Sequence, residues 1–364
     1  MNVFNRIPIS SRLLFPSQIL LLRLLSLCVY VYDYVMYRSP LGQIFDHGCD
    51  SINSMFGSAN WLINMGINPC LDPLITWIVV FGPIAQFFVS TWEEYYNGSL
   101  ILPIVNGPSE GLLLGSMLSL TSYIYGNTFW QATTWCDMFL FYISENYDKS
   151  TVHSYIVPLR NCDIVVLAAT IGFIQEITMK VFTVSKKHGF RKCVQDLLPL
   201  LQLCLGYFMV GYLTPSLSSP RAMPVVAAAA GEQQGQPQQP NSYNNNIWFA
   251  MPRTSLAIAS ILFTEMTTQL MLNYVTKTKY NRYRWLLLPL VGLVVATLIC
   301  GDRLNEFIDT NSFLLMYMAS SFVYLSFKIV LIIHEICNVL HIQCFAINKN
   351  EEATTTTMMI KKKT

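Results

Sequence analysis

Residues 73–92 read PLITWIVVFGPIAQFFVSTW, an unbroken run without a single charged side chain. An α-helix rises about 1.5 Å per residue, so a run of this length covers the roughly 30 Å of hydrocarbon in a bilayer. Residues 285–300, WLLLPLVGLVVATLIC, have the same character. Over the whole chain of 364 residues, 53% are hydrophobic and only 12% are charged, against about 25% charged in an ordinary soluble domain. That is too little charge to cover a soluble globule. Backbone polar groups in lipid must be satisfied within their own segment, which favours helices. The expected fold is all-α, a polytopic transmembrane bundle of about nine membrane helices near residues 14–36, 44–66, 73–92, 101–125, 163–184, 196–213, 249–274, 285–300 and 313–333.

The basic residues give an expected orientation. They gather at Lys180, Lys186, Lys187, Arg191 and Lys192, at Lys277, Lys279, Arg282 and Arg284, and at Lys361–Lys363. The positive-inside rule puts these regions in the cytoplasm. Alternation then places residues 38–46 and 93–100 on the cytoplasmic side, and 126–162, 214–248 and 301–312 on the lumenal side. The sequon Asn97-Gly98-Ser99 falls on the cytoplasmic side, where it is not used. Residues 214–246 hold an Ala run, a Gln/Pro tract and Asn244–Asn246, a composition that buries no core and reads as a low-complexity lumenal loop. A net charge of +2 offers no basic surface for nucleic acid. The ten cysteines show no CxxC pair and read as packing residues.

The second segment is the least apolar of the nine and carries Asp46, Asp50, Asn53, Asn60 and Asn64. A polar helix among apolar ones faces the bundle interior or a watery cavity. Its start, residues 42–50, reads GQIFDHGCD. Asp46 and Asp50 are one helical turn apart on one face, and Gly42 lies one turn earlier on that face. Two carboxylates so close to a membrane repel each other, and a divalent cation with a preference for hard oxygen ligands, Mg²⁺ or Mn²⁺, resolves this. The competing reading is a pair of solvated residues complementing a helix N-terminus.

The spacing Gly42-x-x-x-Asp46-x-x-x-Asp50 resembles the second half of the CDP-alcohol phosphotransferase signature, D-G-x-x-A-R, eight residues, then G-x-x-x-D-x-x-x-D. Ser39-Pro40-Leu41-Gly42 followed by Phe45-Asp46-His47-Gly48-Cys49-Asp50-Ser51 resembles the eukaryotic choline/ethanolamine branch. Trp92-Glu93-x-Tyr95, Asn106-Gly107-Pro108-Ser109-Glu110-Gly111 and His334-Glu335-Ile336-Cys337 extend the likeness in order. It covers residues 38–348, leaving 1–37 as a poorly matching N-terminal segment and 349–364 as a cytoplasmic tail. The resemblance implies transfer of phosphoethanolamine or phosphocholine from CDP-ethanolamine or CDP-choline to diacylglycerol, with release of CMP. It also implies Mg²⁺ or Mn²⁺ bound by Asp46 and Asp50, with Asp50 as general base. Gly42 would admit the CDP phosphates, and the protein would be a homodimer in the membrane of the endoplasmic reticulum or Golgi with its site facing the cytosol. The C-terminal Lys361-Lys362-Lys363-Thr364 is similar to a dilysine retrieval signal.

The first half of the signature is absent. Cys28 and Val29 stand where its Asp-Gly belongs, Tyr32 and Asp33 where its Ala-Arg belongs, and Leu25 where the family has a further aspartate. Asp33 lies thirteen residues before Asp46, where the spacing asks for eighteen. Two explanations stay open. One is an inactive relative, a catalytically dead scaffold or dimer partner of the same fold. The other, which the abrupt start of the likeness near Arg38 and the charge of Arg23 inside an apolar run favour, is an incomplete N-terminal end.

Four further readings concern individual residues. Glu110 is a candidate headgroup or second-layer carboxylate, with a structural acceptor as the alternative. His47 could act as a base, but on a helix it points about 100° from Asp46, which favours a supporting role. Trp92 and Tyr95 could offer a cation–π surface, but read better as interfacial membrane anchors. Glu176 and Glu265 are expected to pair inside the bundle.

Overall fold

A computed structural model describes residues 40–69, 71–98, 107–144, 159–213, 251–300 and 308–340. They form helices α1 (Pro40–Asn64), α2 (Pro73–Asn97), α3 (Gly107–Tyr125), the short α4 (Thr128–Gln131) and α5 (Thr134–Ser144), α6 (Asn161–His188), α7 (Phe190–Leu213), α8 (Pro252–Val275), α9 (Leu288–Cys300, after a 3₁₀ turn Trp285–Leu287) and α10 (Thr310–Leu340). There is no strand among the described residues. Five helices are long and apolar enough to cross a membrane: Pro73–Asn97, Asn161–His188, Phe190–Val210, Pro252–Val275 and Thr310–Val339. Of the expected segments 44–66 and 101–125, the described residues form helix over Pro40–Asn64 and Gly107–Tyr125, neither apolar enough to count as a span, and α9 is apolar but short. Segment 14–36 lies outside the described residues. The expected lumenal stretch 126–162 is not plain loop, since it contains α4 and α5.

The chain divides into two compact units, residues 1–321 and 322–364. In the first, α2 and α8 form the centre. Phe88, Trp92, Phe263, Met266 and Leu270 are wholly buried, joined by Met55 from α1 and Leu203 from α7. By contrast α6 turns Leu167, Ile171, Ile174, Met179 and Phe182 outward, each more than half exposed. A face so apolar is stable only against lipid. This is a membrane protein. The second unit holds the last part of α10, where Leu325 and Ile332 are buried and Asn338 Nδ2 lies 3.1 Å from His334 Nδ1.

Close approach between α2 and α6 depends on Gly82. A Cβ there would meet Phe173 Cδ2 at 2.6 Å and Cε2 at 2.7 Å. Small residues at such crossings let helix backbones approach where lipid supplies no hydrophobic drive. Gly82→Ala is therefore expected to destabilise the bundle by about 1–3 kcal/mol, read as a lower melting temperature of the detergent-purified protein.

Polar contacts fix the two ends of the bundle. At one end Arg160 donates to Asp72 Oδ1 and Oδ2 (2.8 and 3.0 Å), Asp163 Oδ1 and Oδ2 (2.9 and 3.0 Å) and Gln131 Oε1 (3.0 Å). These carboxylate bonds, Asp72's first, raise the guanidinium pKa still further. The other end carries the basic turn between α6 and α7, where Lys187 Nζ donates to Asn97 Oδ1 at 3.1 Å and Lys192 lies over the Tyr96 ring at 4.9 Å. Two residues counted in the cytoplasmic basic clusters are buried ion-pair partners instead. Lys180 pairs with Glu93 at 3.0 Å and Glu176 at 3.5 Å, and Arg284 pairs with Glu265 at 3.3 Å. Glu176 and Glu265 thus pair inside the bundle as expected. The described cysteines are free, and Cys136, Cys162, Cys193 and Cys204 are buried as packing residues.

Candidate active site at the start of α1

The described part of helix α1 opens at Pro40. Residues 42–50 therefore occupy its opening turns, with Gly42, Asp46 and Asp50 in line along one face. Gly42 is buried, and the two aspartates are partly buried. The Asp46 carboxylate lies close enough to Asp50 and to Glu94 to repel both.

Next to this face, α1 grips α2. Gln43 Nε2 donates to Glu94 Oε1 at 2.9 Å, and His47 Nε2 lies 3.5 Å from Glu94 Oε2. The other ring nitrogen of His47, Nδ1, is 3.3 Å from Thr91 Oγ1, and the ring leans on Phe87 with centroids 5.9 Å apart. Gln43 and His47 are one turn apart and meet the same carboxylate, as helical neighbours do. His47 is buried, and its partner is Glu94 rather than either aspartate. Glu94 occupies the unspecified position of Trp92-Glu93-x-Tyr95, so the motif gave no reason to select it. The only signal was its place in a charged pair at the end of an apolar run.

Helix α8 closes the third side. Ser51 Oγ donates to Thr264 Oγ1 at 3.0 Å, and Gly48 leaves room for Thr268, whose Oγ1 would be 3.7 Å from a Cβ at that position. Thr268 Oγ1 is buried without a hydrogen-bond partner.

Two aromatic residues differ from their expected role as interfacial anchors. Trp92 is 0% exposed and packs edge-on against Tyr96, so it is core. Tyr95 donates its hydroxyl to Thr278 O at 3.0 Å and accepts from Tyr280 N at 3.2 Å, tying α2 to the loop after α8. Packing between helices, not depth in a bilayer, decides both positions. Glu110 falls in the first turn of α3, and its side chain lies outside what the structure describes. Leu25, Cys28, Val29, Tyr32 and Asp33 lie outside the described residues altogether.

A metal ion fits this site on the chemistry of its donors. Among the described residues no three His, Cys, Asp or Glu side chains converge as a ready-made cage. Mg²⁺ does not need one, because it commonly binds through one or two carboxylates, substrate phosphates and water. Asp46 and Asp50 offer that pair of hard oxygen ligands.

Known proteins resemble the chain as a whole. The chain is 26% identical over 323 residues to a CDP-alcohol phosphatidyltransferase class-I family protein of Dictyostelium discoideum, covering 85% of this chain and 72% of that one. It is 37% identical over 92 residues to choline/ethanolaminephosphotransferase 1 of Arabidopsis thaliana, covering 25% of this chain and 22% of the relative. With choline/ethanolaminephosphotransferase 1 of Saccharomyces cerevisiae it shares 29% identity over 136 residues, 37% of this chain and 31% of the yeast protein. No protein-family model matches the chain. The chain is similar to proteins named for the CDP-alcohol phosphatidyltransferase class-I family and to choline/ethanolaminephosphotransferases. The stretches aligned with the plant and yeast choline/ethanolaminephosphotransferases span less than a third of those relatives.

Proposed function

We propose that this protein transfers phosphoethanolamine or phosphocholine from its CDP ester to diacylglycerol, forming phosphatidylethanolamine or phosphatidylcholine and releasing CMP. The observation that carries this reading is the Asp46–Asp50 pair on a glycine-led helix face, at the bundle end that also holds the basic α6–α7 turn. By the positive-inside rule that end faces the cytosol, where the nucleotide is dissolved.

In the reaction a bond forms between the diacylglycerol hydroxyl oxygen and the phosphorus bearing the alcohol. The bond from that phosphorus to the bridging pyrophosphate oxygen breaks, and the electron pair leaves with CMP. A Mg²⁺ or Mn²⁺ ion held by Asp46 and Asp50 would neutralise the pyrophosphate and the charge developing on the leaving oxygen. Gly42, lacking a side chain, would let the phosphates come close to the helix backbone. Asp50 takes the hydroxyl proton as general base. His47 is the rival base, its ring held between Glu94 and Thr91. The basic tail Lys361–Lys363 supports residence in the endoplasmic reticulum or Golgi, and the family resemblance supports a homodimer.

The test supplies CDP-ethanolamine or CDP-choline, diacylglycerol and Mg²⁺ or Mn²⁺ to membranes holding the full chain, and measures labelled phospholipid. Product that depends on both the metal and the CDP ester supports the transferase. If His47→Ala keeps activity while Asp50→Asn loses it, Asp50 is the base. Silence with both donors and both metals, restored by an upstream D-G-x-x-A-R segment, means that the first half of the signature is required. Silence that persists favours the scaffold or dimer partner.

A further inference from the structure

A cavity lies away from the aspartates. It encloses about 330 Å³ between the last turns of α1, the start of α2, the end of α7 and the start of α8, a size within the range of small-molecule sites. Ala59 is its nearest α1 residue to Asp50, nine positions further on and so about 14 Å along the helix axis. Its walls are apolar, formed by residues such as Ala59, Ile63, Trp77, Phe208 and Leu256. Ile63 is 68% exposed, which leaves the cavity open toward the surface that lipid covers.

Two polar groups interrupt these walls. Thr76 is 7% exposed, lines the cavity, and has a buried hydroxyl without a hydrogen-bond partner. Native structures rarely leave such a group unsatisfied unless a ligand or water meets it. The second is Arg253, exposed on the first turn of α8 and without an ion pair among the described residues. It adds a full positive charge to the positive end of the helix dipole. Neighbouring polar atoms are already engaged: Trp77 Nε1 donates to Cys204 O at 2.9 Å, and the Tyr207 hydroxyl donates to Ser255 O at 2.9 Å.

We propose that this cavity is a phospholipid site separate from the aspartates. One acyl chain lies between α1, α2, α7 and α8, a lipid oxygen takes the Thr76 hydroxyl, and an anionic headgroup rests on Arg253 and the α8 N-terminus. Charge complementarity selects the occupant. Diacylglycerol offers Arg253 no anion, and a choline headgroup sets its own cation against the guanidinium. The site lies at the opposite end of the bundle from the basic α6–α7 turn and serves the other leaflet. It does not depend on the transferase reading.

The test uses the full chain, purified in mild detergent and stripped of lipid, with dioleoyl phosphatidylglycerol as the anionic probe. Saturating probe is expected to raise the melting temperature by about 4 °C, equally in the parent and in Asp50→Asn, with one bound lipid seen by native mass spectrometry. Arg253→Gln should reduce the shift to that of dioleoyl phosphatidylcholine. Ala59→Trp, or the milder Leu256→Phe if the first does not fold, should abolish it. Equal shifts with phosphatidylcholine or dioleoylglycerol overturn the proposal, as does a full shift in Arg253→Gln. So does a filled cavity that changes the oligomeric state but leaves the lipid response intact, because the occupant would then be a second copy of the chain.

Discussion

Asp50→Asn is expected to lower phosphoalcohol transfer by at least about 100-fold, the usual scale for loss of a general base, while raising the melting temperature of the metal-free protein. The two effects have one cause. Asp46 and Asp50 sit a turn apart and partly buried, so burial first and mutual repulsion second make a pair of carboxylates costly there. Exchanging one carboxylate for an amide of similar shape removes that repulsion, so the fold gains. It also removes a metal ligand and the group that accepts the hydroxyl proton, so the chemistry is lost. Asp46→Asn should behave alike, with the added sign that excess Mg²⁺ or Mn²⁺ no longer stabilises the protein against heat. Opposite movements of activity and stability mark residues kept for function at the expense of the fold. Were Asp50→Asn to lower both together, Asp50 would be a structural residue and the proposed site would fail.

The part of this site legible in the sequence is the part written at helical spacing. Gly42, Asp46 and Asp50 share a face because they recur every fourth residue, and the structure keeps them on one helix. The long spans were legible for a similar reason: 73–92 and 163–184 became Pro73–Asn97 and Asn161–His188, because an apolar run of membrane length has no other low-energy conformation in lipid. Contacts between helices were not legible. Glu94 meets Gln43 and His47 across about fifty positions of chain, and no local spacing encodes which carboxylate of Glu93-Glu94 faces α1. The same blindness counted Lys180 and Arg284 among the cytoplasmic basic clusters. Near the end of an apolar run, a cation bound for the cytosol and one bound for a buried carboxylate look the same. Only the packing of α2 on α6, and of α8 on the loop that follows it, separates them. Trp92 was misread for the same reason, since an aromatic residue at the end of a span is an anchor on a lipid-facing helix and core on a central one.

That division of labour within Glu93-Glu94 gives the second large effect. Lys180→Met is expected to destabilise the bundle by about 3–5 kcal/mol, because it strands a buried carboxylate. Lys180 Nζ lies 3.0 Å from Glu93 Oε2, with side-chain exposures of 7% and 5%, and 3.5 Å from Glu176 Oε1. Glu176 in turn accepts from Gln86 and, at 3.4 Å, from Ser90, so one ammonium serves a polar seam between Gln86 and Glu93 of α2 and the facing turns of α6. The double variant Glu93→Gln, Lys180→Met should recover most of the loss, since it removes the cation together with its nearest anion and leaves Glu176 with its neutral donors. Thermal unfolding of the four proteins in detergent gives the coupling directly. Activity should follow the geometry of α2. Glu93 is held toward α6 while Glu94, the next residue, is presented to Gln43 and His47, so loosening the first contact rotates the second away from the site. Lys180→Met should therefore lose transfer even at temperatures where it remains folded, and the double variant should regain it. A single variant as stable as the parent would show that the α6 contact carries little of the load, and Glu94 would then owe its position to α1 alone.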